Sequence, residues 1–513
     1  MPKLPSSTSP LISIDRKAEA PLYRQIYDAY RVAILNRNLR AGHRVPSTRA
    51  LASELGISRI PVLNAYAQLL AEGYFESRIG AGTIVSNSLP DDEALSHTGG
   101  RVSIGRSRPR LISRDCSNLP AAETALQWLG ARHGAFTVGQ PALDQFPIKI
   151  WSSLVVRHSR KLHPKSLYYG GPMGSRRLRE EIATYLRASR GVRCEAEQIM
   201  IVSGSQQALD ICARVLLNRG DSVWMEEPGY RFARSVLILN GCRLIPVPVD
   251  AEGLSVSQGI QACRKARAAI VTPSHQYPLG VTMSAARRMQ LLDWARNSSA
   301  WIIEDDYDSE FRYDSMPIVS LQGLDRHSRV IYIGTFSKVL FPSLRLGYLV
   351  IPPDLVEPFV RIRLAMDIAP SAFNQSVLSD FIQEGHFSRH IRRMRIVYRE
   401  RRNALLEQIQ NELASDVEVS GGQAGLHLSV SLKRRSSDIE LAKRAAVREL
   451  WLAPLSPSYL ERAMRRGFIL GFGNVAAQEM PAGVRALRQL LRSRQETVPT
   501  RHPEDVAHPA EPR

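Results

Sequence analysis

Three textures follow one another along the chain. In residues 20–86, apolar side chains recur at helical spacing. Leu22, Ile26, Tyr30, Ala33 and Ile34 make one stripe, Leu51, Ala52 and Leu55 a second, and Val62, Tyr66, Leu69 and Leu70 a third. Gly56 predicts a left-handed end to the second helix, and Ser58 predicts a cap for the third. The run EGYFESRIGAGTIVS then predicts two short strands around a tip at Gly80 and Gly82. From 115 to 492, short apolar runs (IMIVSG, SVWME, AAIVTP, WIIEDDYD, VIYIGTF) alternate with amphipathic stretches such as SQQALDICARVLLNRG. That alternation predicts an α/β domain on a mainly parallel sheet. Residues 87–114 are rich in Ser, Gly, Pro and Arg and predict a linker, and the polar residues 493–513 predict a disordered tail.

Composition narrows the classes. A chain of 513 residues exceeds what one core sustains, so a small and a large domain fit. No apolar run reaches the roughly 20 residues of a membrane helix, and the first residues lack the apolar stretch of a secretory signal, so no membrane partner and a cytoplasmic location are expected. Cys116, Cys194, Cys212, Cys242 and Cys263 are odd in number and lack C-x-x-C spacing, which predicts buried thiols, no disulfide framework and no metal site. The net charge of +19 favours a polyanion. Residues 1–114 hold 16 Lys and Arg against 9 Asp and Glu, a denser excess than the rest.

The three helices form a helix-turn-helix and the strands a wing whose glycines allow close approach to a phosphate backbone. The runs PSTRALASELGISR, AYAQLLAEGY and GAGT stand in order at a spacing that resembles the GntR-type winged helix. The resemblance implies double-stranded operator DNA as partner. Arg49 of the second helix and Arg59 at the start of the recognition helix would touch it, with Arg78, Gly80 and Gly82 in the wing. Ile60, Pro61 and Leu63 depart from the polar residues common at this point of the family, which leaves the operator sequence open and brings thymine methyls into consideration.

In the large region, a pyridoxal 5'-phosphate (PLP) chemistry needs a lysine nucleophile, an acid for the ring nitrogen, a phosphate cup and a stacking group. Lys338 follows the strand IYIGTF, with Arg345 seven residues on. Asp305 ends the strand WIIEDD, at the edge where open α/β sheets bind ligands, and Tyr307 can donate to a ring oxygen. Gly204, Ser205 and Gln206 join a strand to a helix N-terminus, a site suited to a phosphate ester.

Together with YYGGPMGSRRLREEIATYL, EEPGYRFAR and TPSHQYPLG, these pieces resemble the fold-type I aminotransferases over residues 115–492. The resemblance implies a central mainly parallel sheet with a smaller C-terminal α+β part and PLP as cofactor. It makes Lys338 the Schiff-base lysine, Asp305 the pyridinium partner, Tyr307 a ring-oxygen contact and Tyr230 the stacking ring. Arg345 would meet the phosphate or a substrate carboxylate, and Tyr169 would reach the phosphate across a homodimer. Many relatives have an asparagine where Tyr277 precedes Pro278, so His275 is the candidate for that hydrogen bond. In MRRGFILGFGNVA, Ile469 and Leu470 stand where relatives usually carry a carboxylate-binding arginine, and Arg465 and Arg466 lie too far from Gly471 to be sure replacements, so poor transamination of common α-amino acids is expected.

A winged helix N-terminal to such a domain resembles the MocR/GabR subfamily of GntR-type regulators over residues 20–492. That implies PLP-dependent control of transcription by a homodimer, with a domain-swapped arrangement among the options, and a small amine or amino acid as possible effector. The alternatives are a working aminotransferase with an accessory domain and a sensor of PLP alone.

Overall fold

The computed structural model describes residues 9–10, 12–78, 82–87, 113–117, 119, 134–314, 316, 318–448 and 450–493. Most of the expected linker and tail, and Gly80, lie outside these. Two compact units emerge, Met1–Leu111 and Ile112–Arg513.

In the first unit, α1 (Leu22–Leu35), α2 (Thr48–Glu54) and α3 (Arg59–Ala71) are followed by the hairpin β1 (Phe75–Arg78) and β2 (Gly82–Val85). The apolar stripes meet in one core, where the rings of Tyr30, Tyr66 and Phe75 pack edge to face with centroids 5.1 to 5.6 Å apart. Ser47 caps α2, its Oγ accepting from the Ala50 N–H at 3.2 Å. Gly56 then turns the chain with φ +63°, as expected. Two details differ. Ser58 holds the N-cap position of α3, but its side chain makes no cap bond. Such a cap accepts from the second or third helical N–H, and the third residue here is Pro61, which has none. Leu70 is exposed, because the buried face runs through Val62, Ala65, Tyr66 and Leu69 and the next residue rotates off it.

The second unit is built on an eight-stranded sheet. Its strands are β3 (Ile199–Val202), β4 (Ser222–Glu227), β5 (Arg243–Asp250), β6 (Gly253–Leu254), β7 (Ala268–Val271), β8 (Trp301–Asp306), β9 (Val330–Thr335) and β10 (Gly347–Val350). Their order is β3-β10-β9-β8-β7-β4-β5-β6, with β9, β8, β7, β4 and β5 parallel and β10 antiparallel to both neighbours. Strands β3, β7, β9 and β10 are buried along their whole length, as helices on both faces of a parallel sheet require. A smaller antiparallel sheet, ordered β11-β12-β14-β13, is made by β11 (Val417–Gly421), β12 (His427–Leu432), β13 (Ala453–Pro454) and β14 (Gly467–Gly471). This is the expected α/β architecture with its smaller C-terminal part. Among the described residues no helix is long and apolar enough to cross a membrane. All five cysteines are free, and Cys116 is exposed where burial was expected.

Candidate cofactor site and DNA-facing surface

Parallel strands end together, so the loops after them converge on one edge. Asp305 lies next to the end of β8, Lys338 three residues beyond β9, and Gly204 two residues beyond β3. All three line one cavity of about 480 Å³, with Ser205, Gln206, Tyr230, Tyr307 and Arg345. That volume suits a small-molecule ligand.

Lys338 Nζ donates to the Gly139 carbonyl at 2.9 Å. Burial lowers its pKa, while Asp308 and Asp305 oppose the shift, so the neutral amine that attacks a carbonyl is favoured over an exposed lysine's. Asp305 is the reverse case. Burial first, then the charges of Asp306, Glu226 and Asp308, push its carboxyl up to about 7, with Lys338 pulling down. Its Oδ1 is buried with no hydrogen-bond partner among the described residues. A buried acceptor in a field of acids is a poor resting place for a bare carboxylate and a good partner for a ring N–H⁺.

Gly204 precedes the helix Ser205–Leu216 with φ +115°, a conformation only glycine adopts readily, and a side chain there would stand 3.5 Å from the Arg345 guanidinium. Arg345 itself is held at φ +50°, unusual for a non-glycine residue. Cation and helix N-terminus thus face the same spot, the combination that binds a phosphate ester. The Tyr230 hydroxyl accepts from Gln206 Nε2 at 3.2 Å.

His275 is buried and does not line the cavity. It stands behind it, with Nδ1 3.1 Å from the Tyr307 hydroxyl and 3.0 Å from Asp308 Oδ1. His275 thus lies beside Tyr307, the other ring-oxygen candidate, and not in the cavity lining. His427 of β12 packs on it at 4.6 Å between ring centres, and burial lowers the His427 pKa to about 3, leaving a neutral imidazole on the cavity wall. His275, Asp308 and His427 bring ligand atoms within 4.8 Å of one another, a grouping not foreseen from sequence.

Tyr169 is not among the cavity residues. It is 83% exposed and lines a separate hollow with Leu167, Tyr168 and Phe373. Ile469 does line the cavity, while Arg465 and Arg466 are exposed and do not. Arg231, passed over in the sequence, supplies a cation to the lining, and Gln140, Thr272, Ser337 and Ser458 add polar groups. For Ser337 a signal was available, its place beside the lysine. For Arg231 it was its place next to Tyr230.

In the first unit, Arg49 and Arg59 are exposed, and Arg59 Nε donates to Thr48 Oγ1 at 3.1 Å. Arg78 pairs with Gly82 across the hairpin, and Gly82 has φ +84°. The Arg78 side chain and Gly80 lie outside the described residues.

A helix-turn-helix with a wing in one unit and a fold-type I pocket in the other define a DNA-binding regulator built on an aminotransferase-like domain. The profile of bacterial regulatory proteins of the gntR family matches residues 22–85, and that of aminotransferase class I and II matches residues 136–466. The chain is 41% identical to the probable rhizopine catabolism regulatory protein MocR of Rhizobium meliloti, over 93% of this chain and 95% of that protein. It is 30% identical to the pyridoxine biosynthesis transcriptional regulator PdxR of Corynebacterium glutamicum, over 88% of this chain and 91% of that protein. Among solved structures, the Pyrococcus horikoshii kynurenine aminotransferase, whose complex holds PMP, superposes with a TM-score of 0.68 at 29% identity, covering 74% of this chain and 96% of that one. The chain belongs to the MocR group of GntR-type transcription regulators, which carry an aminotransferase class I and II domain, and its cofactor is pyridoxal 5'-phosphate.

Proposed function

We propose that the chain is a cytoplasmic, homodimeric regulator that binds operator DNA through residues 20–86 and senses PLP, or PLP with an amine or amino acid, through residues 115–492. Residues 87–114 are assigned as the linker and 493–513 as the tail, most of both lying outside the described residues. The observation that carries the reading is the joining of an open-faced winged helix to a PLP pocket whose C-terminal wall presents Ile469.

When bound, PLP supplies an aldehyde and an electron-withdrawing ring. Lys338 is the amine that attaches it, kept nucleophilic by burial. Asp305 would hold the ring nitrogen, its Oδ1 having no partner among the described residues. Tyr307, whose hydroxyl meets His275 Nδ1, would donate to the ring oxygen, and Tyr230 would stack on the ring. Gly204, Ser205, Gln206 and Arg345 would hold the phosphate. Tyr169, exposed on its own unit, serves the phosphate of the second subunit. Arg49, Arg59, Arg78, Gly80 and Gly82 face DNA.

An effector couples the two units only if it binds two arrangements with different affinity. Without an arginine at Ile469, α-amino acids lack the usual bidentate grip, so turnover is poor, although Arg231 adds a further cation to the lining. The purified protein is tested on its own upstream DNA with and without PLP, and on amino acids with a keto-acid acceptor. Specific binding that PLP alters is expected. No specific binding, together with steady turnover on the order of 1 per second, would replace this reading with a metabolic aminotransferase.

A further inference from the structure

The outward face of α3 is uncharged. Ile60 is 67% exposed and Leu63 41%, and Asn64 and Ala67 continue the same open stripe. Positions 60, 63, 64 and 67 follow the i, i+3, i+4, i+7 rule of a single helix face. The helix has no use for these apolar side chains in its own core, which Val62, Ala65, Tyr66 and Leu69 already fill. The Asn64 amide has no hydrogen-bond partner among the described residues. Cations flank the stripe. Arg49 is exposed on α2, and the exposed Arg59 begins α3 with its Nε donating to Thr48 Oγ1.

We propose that this face reads thymine in the major groove. Ile60 and Leu63 pack on C5-methyl groups, Asn64 pairs with a neighbouring adenine, and Arg49 and Arg59 fix the register on the flanking phosphates. The chemistry selects the occupant. Thymine is the base that presents a methyl in the major groove, and an asparagine amide matches the N7 and N6 pattern of adenine. Neither apolar side chain can satisfy a polar base edge, and a G·C pair offers no methyl to offset that desolvation. This inference rests on the DNA-binding reading above and assigns its base preference.

A randomised pool of duplexes is selected on the full-length, PLP-loaded protein, and the enriched duplex is remade with deoxyuridine replacing each thymine in turn. Removing a contacted methyl weakens binding about fourfold while the dependence on salt stays the same. The double variant Ile60→Ala with Leu63→Ala, both at exposed positions, keeps the salt dependence and no longer distinguishes thymine from deoxyuridine. Asn64→Ala relaxes the choice at the adjacent A·T pair. Sequence-specific binding indifferent to every deoxyuridine overturns the inference and leaves DNA regulation standing. A methyl effect that survives in the double variant overturns the assignment to this helix face. Enrichment of no sequence, with no duplex held above background, overturns the regulator reading as well.

Discussion

The two units put their chemistry in opposite places. In the winged helix the side chains proposed to meet DNA stand outside a small core, with Arg49, Arg59, Ile60 and Leu63 all exposed in water. In the large unit they are sunk at the end of a buried sheet, where desolvation, the largest cause in each case, pushes Asp305 and Glu226 up to about 7 and His427 down to about 3, with neighbouring charges adding to the shift of Asp305 and His427. A surface meant for a polyanion needs charges that stay hydrated until contact, since the release of counterions supplies much of the affinity. A pocket that tunes a cofactor needs groups whose charge is expensive, so that one incoming cation changes the balance. The difference makes the units answer differently to the same experiment.

The largest effect is expected at Lys338. Lys338→Ala should abolish covalent, borohydride-trappable attachment of PLP, because no other lysine among the described residues lines the cavity. Trapping on another lysine in the variant would break the assignment, whereas intact DNA binding by the variant at saturating DNA would sharpen the separation of units.

Asp305→Ala should weaken PLP binding by about 10- to 100-fold, the loss of one charge-assisted hydrogen bond. The same residue predicts a pH dependence. Its folded pKa of about 7 lies above the usual carboxylate value, so the folded apoprotein retains a proton that the unfolded chain has released. That stabilisation is full below about pH 4 and is lost as pH rises through about 7. Thermal melts of apoprotein between pH 5 and 8 should therefore fall more steeply for wild type than for Asp305→Asn, and PLP should reduce the wild-type fall. Parallel curves with and without PLP would remove the ring nitrogen from Asp305.

Arg59→Ala should show the smallest effect. A loss of more than about 1 kcal/mol in operator binding marks a base contact, and a salt slope reduced by about one marks a phosphate contact. No change in either would mean that the helix docks by another face, and the contrast between units would lose its exposed half.

Much of the candidate site was legible because its pieces are short and local. Lys338, Asp305 and Gly204 each follow an apolar strand directly, and a strand end in a parallel sheet already faces the ligand edge. The winged helix was legible for the same reason, since its helices, turn and wing are contiguous and their periodicities are intact. What was misread there turned on single steps of geometry. Ser58 fails to cap because a proline sits three residues on, and Leu70 is one helical step off the buried face.

The sequence by itself therefore determined the two modules, their order and the cofactor chemistry. Tertiary structure alone decided which distant residues complete the pocket. His427 and Ile469 come from the small antiparallel sheet, and Gly139, whose carbonyl holds Lys338, lies 199 residues away in sequence. It likewise placed His275 behind Tyr307 instead of in the cavity and Tyr169 on a separate surface. The reason is physical. Periodicity reports whether a side chain faces a core or water, but strands buried on both faces carry no such alternation, and the partners across a cavity are set by how sheets and loops close in space.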